Sequence, residues 1–376
     1  MQQSTFRRAL ALVAAGALTV AACGGDDDEP VADEPVEATA DDTADTTEAP
    51  AEGSAEESAD TTEAPAEDSA DEPATTEAPA EASDEPAAAP ELSELTLGLI
   101  PIADVAPIYI GIEQGFFAEE GLTVTTEFAA GGAAAIPALQ AGDIDLAFGG
   151  YPSTYKAIEA GIDLVVTQEA VGGAPLFAGL YAMPDAGIAS PADMAGATVA
   201  VNTLNNIVQM AVEIQLQEAG LELSDVTLVE IPFPDQVAAL ELGDVDVISV
   251  VEPFGTIARN TLDAVLVVDM FSGPLDGFPV AGWQVTREFA EANPNTIAAF
   301  NRAFAKATDY AVNEDGALAA IVPTYTSASP ELAAELNYPN MISGLDVGQL
   351  QLVPDLMLEQ GLLEGPIDAA DYVFEN

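Results

Sequence analysis

A nine-residue segment of this chain returns 101 residues later: Ala138-Leu139-Gln140-Ala141-Gly142-Asp143-Ile144-Asp145-Leu146 is echoed by Ala239-Leu240-Glu241-Leu242-Gly243-Asp244-Val245-Asp246-Val247. Each copy reads as a helix stopped by a glycine suited to the left-handed C-cap, then an acidic turn, then a buried strand. One such unit fits any α/β chain. Its return, with strand-like and helical runs on either side, points to two lobes of one plan. The first set of strand candidates is 95–100, 122–128, 144–148 and 164–168, and the second is 198–202, 226–231, 245–250 and 264–269. Helical runs alternate with them, the signature of a parallel α/β sheet. Two such lobes leave a cleft, and loops at the carboxyl ends of parallel strands should line it.

Composition closes several function classes. With no His, a Ser-His-Asp or Cys-His nucleophile is impossible, and a single Cys excludes internal disulfides and CxxC redox motifs. The formal net charge of -58 repels nucleic acid. From residue 92 onward 40 acidic residues face 5 basic ones, a net of -35, so the acidity extends into the folded part. Such a surface suits solubility at high ionic strength, or simply reflects solvated helix faces. Catalysis would have to rest on carboxylates, and Asp143 with Asp145 reads better as turn chemistry than as an acid/base pair. Binding is the reading that remains.

The N-terminal region carries addressing signals. Arg7 and Arg8 precede an apolar run from Ala9 to Ala22, a signal-peptide layout. As a helix it would cover only about 21 Å, short of a membrane core of roughly 30 Å. Its end, Val20-Ala21-Ala22-Cys23-Gly24, resembles the lipobox of bacterial lipoproteins, which implies lipidation of Cys23. Residues 24–90 are mostly Asp, Glu, Ala, Thr, Ser and Pro with almost nothing large or apolar, TTEAPAE occurs three times, and such a segment cannot bury enough surface to fold. It reads as a disordered acidic stalk spanning roughly 45 Å, serving reach or only solvation.

The stretches LGLIPIADVAPIYIGIEQGFFAEEGLTV, ALQAGDIDLAFGG, IPFPDQVAALELGDVDVISVVEPF and LQLVPDLMLEQGLLEG resemble ABC-transporter substrate-binding proteins for sulfonates, taurine, nitrate or the thiamine pyrimidine precursor. The likeness runs from about Leu95 to Val373. It implies an α/β, two-lobed periplasmic-binding-protein-like fold of type II with the ligand cleft between the lobes. The organisation expected is 1–22 signal peptide, 23–90 lipidated Cys and stalk, 91–184 first part of lobe 1, 185–280 lobe 2, and 281–376 the return to lobe 1 with the C-terminal helices. It further implies a small-molecule ligand, an ABC permease and its ATPase as partners, no cofactor, and a monomer anchored by lipid at the outer face of the cytoplasmic membrane. A lipid-anchored sensor would share this sequence.

Candidate ligand-binding residues follow from the strand ends. Asp104 precedes a helix, as a cap or as an acceptor for an amine or ring N–H. Gly131 and Gly132 permit close backbone approach to a ligand or merely start a helix. Tyr151 offers a ring for stacking, or else packs in the core, and Ser153 offers a hydroxyl. Asn202 and Thr203 precede the second lobe's first helix, where the resemblance implies a loop on the ligand and helix capping is the alternative; Phe233 follows one strand, and Glu252 and Phe254 follow another. Glu252 either steadies a helix dipole or receives a cationic donor. Trp283, the only Trp, falls where the chain should cross back, as ligand wall or packing. No Lys or Arg lies in these loops, which favours a neutral or cationic ligand such as a nitrogen heterocycle. The alternative is a sulfonate- or nitrate-like anion held by backbone N–H groups at helix N-termini.

Overall fold

The computed structural model describes residues 88–375. The signal-peptide run, Cys23 and the TTEAPAE repeats lie outside the described residues. The strands are β1 (Glu94–Leu99), β2 (Thr123–Phe128), β3 (Leu146–Gly150), β4 (Leu164–Gly172), β5 (Ala178–Ala182), β6 (Thr198–Val201), β7 (Thr227–Glu230), β8 (Val247–Val251), β9 (Val265–Asp269), β10 (Pro279–Thr286) and β11 (Asn340–Met341). They form two sheets, ordered β11-β4-β10-β3-β1-β2 and β7-β6-β8-β5-β9. The fold is thus α/β with two lobes, as expected.

The echoed segments do the same work in both lobes. Gly142 and Gly243 end their helices in the left-handed region, at φ 73° in each case. The turn then closes onto the start of a neighbouring strand: Asp145 Oδ2 accepts from Thr96 N–H at 2.7 Å, and Asp246 Oδ2 from Thr198 N–H at 2.7 Å. Each carboxylate satisfies a backbone donor at the first residues of a parallel strand, so β1 and β3, or β6 and β8, are locked in register there. Asp143 and Asp145 therefore belong to a structural turn.

Sheet topology places each lobe's parallel strands together and adds antiparallel ones. β1 pairs in parallel with β2 and β3, and β6 in parallel with β7 and β8. β10 runs antiparallel between β3 and β4, and β5 antiparallel between β8 and β9. The second sheet already takes in β5, ahead of residue 185. Segments 173–177 and 270–278 carry the chain between lobes, and Gly173 N–H bonds Phe278 O at 2.9 Å where they run together.

The first lobe is packed around one long helix, Pro294–Asn313. Glu91 caps its start, accepting from Thr296 N–H at 2.7 Å and Thr296 Oγ1 at 2.9 Å. Phe300 and Phe304 meet Trp283 of β10 edge-on, with ring centroids 5.3 and 6.0 Å away. The GFFAEEGL stretch docks on the same helix. Phe117 stacks on Phe300 at 5.8 Å, Glu120 pairs with Arg302 at 2.6 Å, and Glu119 pairs with Lys306. Among the described residues no helix is long and apolar enough to cross a membrane.

Candidate functional site

The two lobes meet over a small cavity whose walls come from both sheets. Ile100, Ile102, Asp104, Gly132, Phe148, Gly150, Val280 and Ala281 face it from the first lobe. Asn202, Asn206, Ile207, Val208, Phe233, Val251 and Phe271 face it from the second lobe and its return crossing. These residues cluster at the carboxyl ends of β1, β3, β6 and β8, where an open α/β sheet exposes its ligand loops. The cavity measures about 30 Å³. Larger hollows of about 530 Å³ beside Gln168 and Asn301 and about 350 Å³ beside Leu139 and Phe289 lie on the first lobe alone, and two more, of about 390 and 250 Å³, lie where Lys156 of the first lobe faces Asn205 of the second.

Asp104 is the unspent polar group of this cavity. It sits in the short turn Ala103–Val105, where no side-chain cap bond forms, so the capping alternative is not realised. The residue is 4% exposed and its Oδ2 has no hydrogen-bond partner. Burial pushes its pKa up to about 7, offset only in part by a hydrogen bond from its own backbone N–H. The two asparagines on the wall are largely committed. Asn206 Nδ2 donates to Asn202 Oδ1 at 2.6 Å and to Thr203 Oγ1 at 2.9 Å, while Asn206 Oδ1 accepts from Gln209 N–H at 2.9 Å as the cap of the helix Ile207–Glu218. Asn202 Nδ2 reaches across to Ala130 O at 3.1 Å.

Glycines let the lobes touch. A Cβ on Gly131 would fall 2.7 Å from Asn202 Nδ2 and 2.8 Å from Thr203 Oγ1, and one on Gly132 only 2.6 Å from Gly149 Cα. Gly131 thus lets the second lobe approach, and Gly132 lets its helix pack on β3 within the first lobe. Thr203 sits on this rim, and Ser153 Oγ donates to Asn205 O at 3.4 Å beside it. Phe233 lines the cavity, with Phe254 stacked behind it at 6.4 Å.

Two expected positions lie in the first lobe's core, and a third, Glu252, is at the rim but already engaged. Tyr151 is buried in the first lobe against Gly282. Trp283 is wholly buried among Phe148, Phe300 and Phe304, because its register on β10 turns it into the lobe's core and away from the cleft. Glu252 is 1% exposed and already engaged: it accepts from Thr256 N–H at 3.0 Å and Thr256 Oγ1 at 2.8 Å and pairs with Arg259 at 3.4 Å. Its helix-dipole role is realised, and its carboxylate already has partners within its own lobe. Burial raises its pKa, against these hydrogen bonds and the Arg259 charge. Sequence reasoning missed Gly150, Asn206, Ile207 and Phe271. Asn206 carried a signal, an Asn directly before an apolar helical run; Ile207 and Phe271 are apolar residues with no chemistry to mark them.

A two-lobed α/β fold with its cleft at the strand ends is what this geometry defines. Residues 88–323 match the NMT1-like family, and the chain belongs to it. Among curated protein sequences none matches. The fold is that of the alkanesulfonate-binding protein SsuA from Xanthomonas axonopodis pv. citri bound to MOPS, with 18% identity, a TM-score of 0.67, and 76% of this chain and 99% of that chain covered. The periplasmic nitrate-binding protein NrtA from Synechocystis PCC 6803 is similar at 18% identity and TM-score 0.65, over 76% of this chain and 87% of that one. A point mutant of DszB in complex with biphenyl-2-sulfinic acid shares the fold at 17% identity and TM-score 0.53, over 75% of this chain and 96% of that one.

Proposed function

We propose that this chain is the extracytoplasmic solute-binding component of an ABC importer, anchored through Cys23 at the outer face of the cytoplasmic membrane, and that it hands a small, largely apolar solute bearing an N–H donor to its permease. The observation that carries the ligand class is the Asp104 carboxyl, whose Oδ2 is buried without a hydrogen-bond partner in a mostly apolar cavity. A buried acceptor left unpaired costs about 1–3 kcal/mol, which an amine or protonated ring nitrogen would recover. The five basic residues of the folded part all stand in ion pairs with acidic neighbours, and none lines the cavity. Binding rather than catalysis fits a chain without His, although the DszB likeness marks a fold that also occurs with a sulfinate.

A second reading has its own support. With its pKa pushed to about 7, Asp104 is half protonated near neutrality and then donates, so a sulfonate or nitrate oxygen would find a hydrogen bond there; the structures similar to this chain include binders of those anions. The pH dependence separates the two. A cationic solute needs the ionised carboxylate, so its affinity should fall about tenfold per unit as pH drops below about 7. An oxyanion needs the protonated acid, and its affinity should fall as pH rises above that value. A thermal-shift screen of amines and aminopyrimidines against taurine, alkanesulfonates and nitrate, repeated at about pH 5.5 and 8.5, decides. A ligand at about 100 times its Kd adds roughly 2.7 kcal/mol of stability. Stabilisation by anions alone, strongest at the acid end, would overturn the amine reading.

A further inference from the structure

The lobes are held together on two rims of the cavity, and the rims differ in chemistry. On one, Asn202 bonds the backbone carbonyl of Ala130. On the other, Glu252 at the end of the second lobe's β8 meets the first lobe twice. Its carbonyl accepts from Ala103 N–H at 3.0 Å, and its carboxylate from Asn337 Nδ2 at 3.5 Å. Farther along the helix Phe254–Leu262, Asn260 Nδ2 donates to Glu335 Oε2 at 3.1 Å. The Glu252 carboxylate is oriented from within its own lobe by Thr256 and Arg259 before the first lobe arrives. Such a pre-positioned acceptor costs little ordering entropy when Asn337 docks.

We propose that Asn337 and Asn260, with Glu252 and Glu335, form a latch that sets the fraction of time the two lobes stay closed. Its bearing on solute capture rests on the binding reading above. Neither asparagine lines the cavity, so both are positioning residues that act through closure. Ala103 adjoins Asp104, so the loop that carries the cavity's free carboxyl is bonded directly to the latch residue Glu252. Open and closed arrangements of such a protein differ by only a few kcal/mol, a gap that two side-chain contacts suffice to move.

The test measures lobe separation in the full chain with no solute added. Spin labels are placed at the exposed turn positions 143 and 244, one per lobe, through non-cysteine chemistry so that Cys23 stays untouched. Double electron–electron resonance then reads the short and long populations. Asn337→Ala and Asn260→Ala should each raise the long-to-short ratio about fivefold, the worth of one net hydrogen bond, and the double variant should multiply the two effects. Both positions lie at the surface or half-buried, and far-UV circular dichroism checks that each variant folds. Distance distributions that superpose for the wild type and all three variants would overturn the latch. No solute enters this measurement, so an empty solute screen would count against the ligand reading and leave the latch result to stand on its own.

Discussion

Asp104 is held in a place where its charge is unwelcome, and the molecule is less stable for it. Its pKa rises from 3.8 to about 7 on folding. A carboxyl raised in this way contributes stability that is fully present below about pH 4 and lost as pH climbs through about 7, on the order of 4 kcal/mol for a shift of this size. Asp104→Asn should therefore raise the urea midpoint at about pH 8 and leave it nearly unchanged at about pH 4; an equal change at both would show that the carboxyl is hydrated. Gly150 makes the opposite kind of demand, for space. A Cβ there would lie 2.5 Å from Ile207 Cγ2 in the other lobe. Gly150→Ala should weaken solute binding about tenfold, the cost of modest overpacking, with little change in melting temperature, and Ile207→Ala should restore affinity in the same chain. Binding that survives Gly150→Ala would mean that closure does not bring these residues together. What the sequence reveals at this scale is position after a strand: Asp104, Gly132, Asn202 and Phe233 are readable as loop residues at strand ends and reach the cavity wall. An aromatic ring serves a core or a ligand wall equally well, and only register distinguishes them, so Trp283 and Tyr151 could not be placed from residue type.

At the scale of elements, the helix–glycine–aspartate–strand unit was legible because its function is local. Gly142 and Gly243 supply the left-handed cap, and Asp145 and Asp246 the bond to the next strand. Removing either carboxylate, by Asp145→Ala or Asp246→Ala, should cost about 1 kcal/mol, since both sites are partly or fully exposed. The effect should appear as faster amide exchange at Thr96 or Thr198 within the altered lobe; uniform exchange across both lobes would contradict it. The antiparallel strands were harder to read. β5 is Ala-Gly-Leu-Tyr-Ala and β10 runs Pro279–Thr286, each nearly continuous in burial and without the alternation or turn signals that mark a half-exposed strand. The pairing of Arg302 and Lys306 with Glu120 and Glu119 was likewise invisible, because it joins residues 182 and 187 positions apart.

From residue 92 onward the molecule carries a net charge of -35, with its few bases all committed to ion pairs. Screening should therefore help it: the melting temperature should rise between about 0.05 and 1 M NaCl, as the Debye length shrinks from more than 10 Å to about 3 Å. A flat or falling melting temperature would mean that the weakening of those ion pairs outweighs relief of self-repulsion. The same molecule has one further property that follows from where β10 lies. Between β3 and β4 the first sheet has no direct pairing; β10 fills that place, and it is made only after the entire second lobe. As the chain emerges N-terminus first, the first-made lobe waits with a slot open through its middle, while the later-made lobe already has all its strands. Birth order and completion order are reversed, and the tryptophan that seals the older half arrives with the thread leaving the younger one.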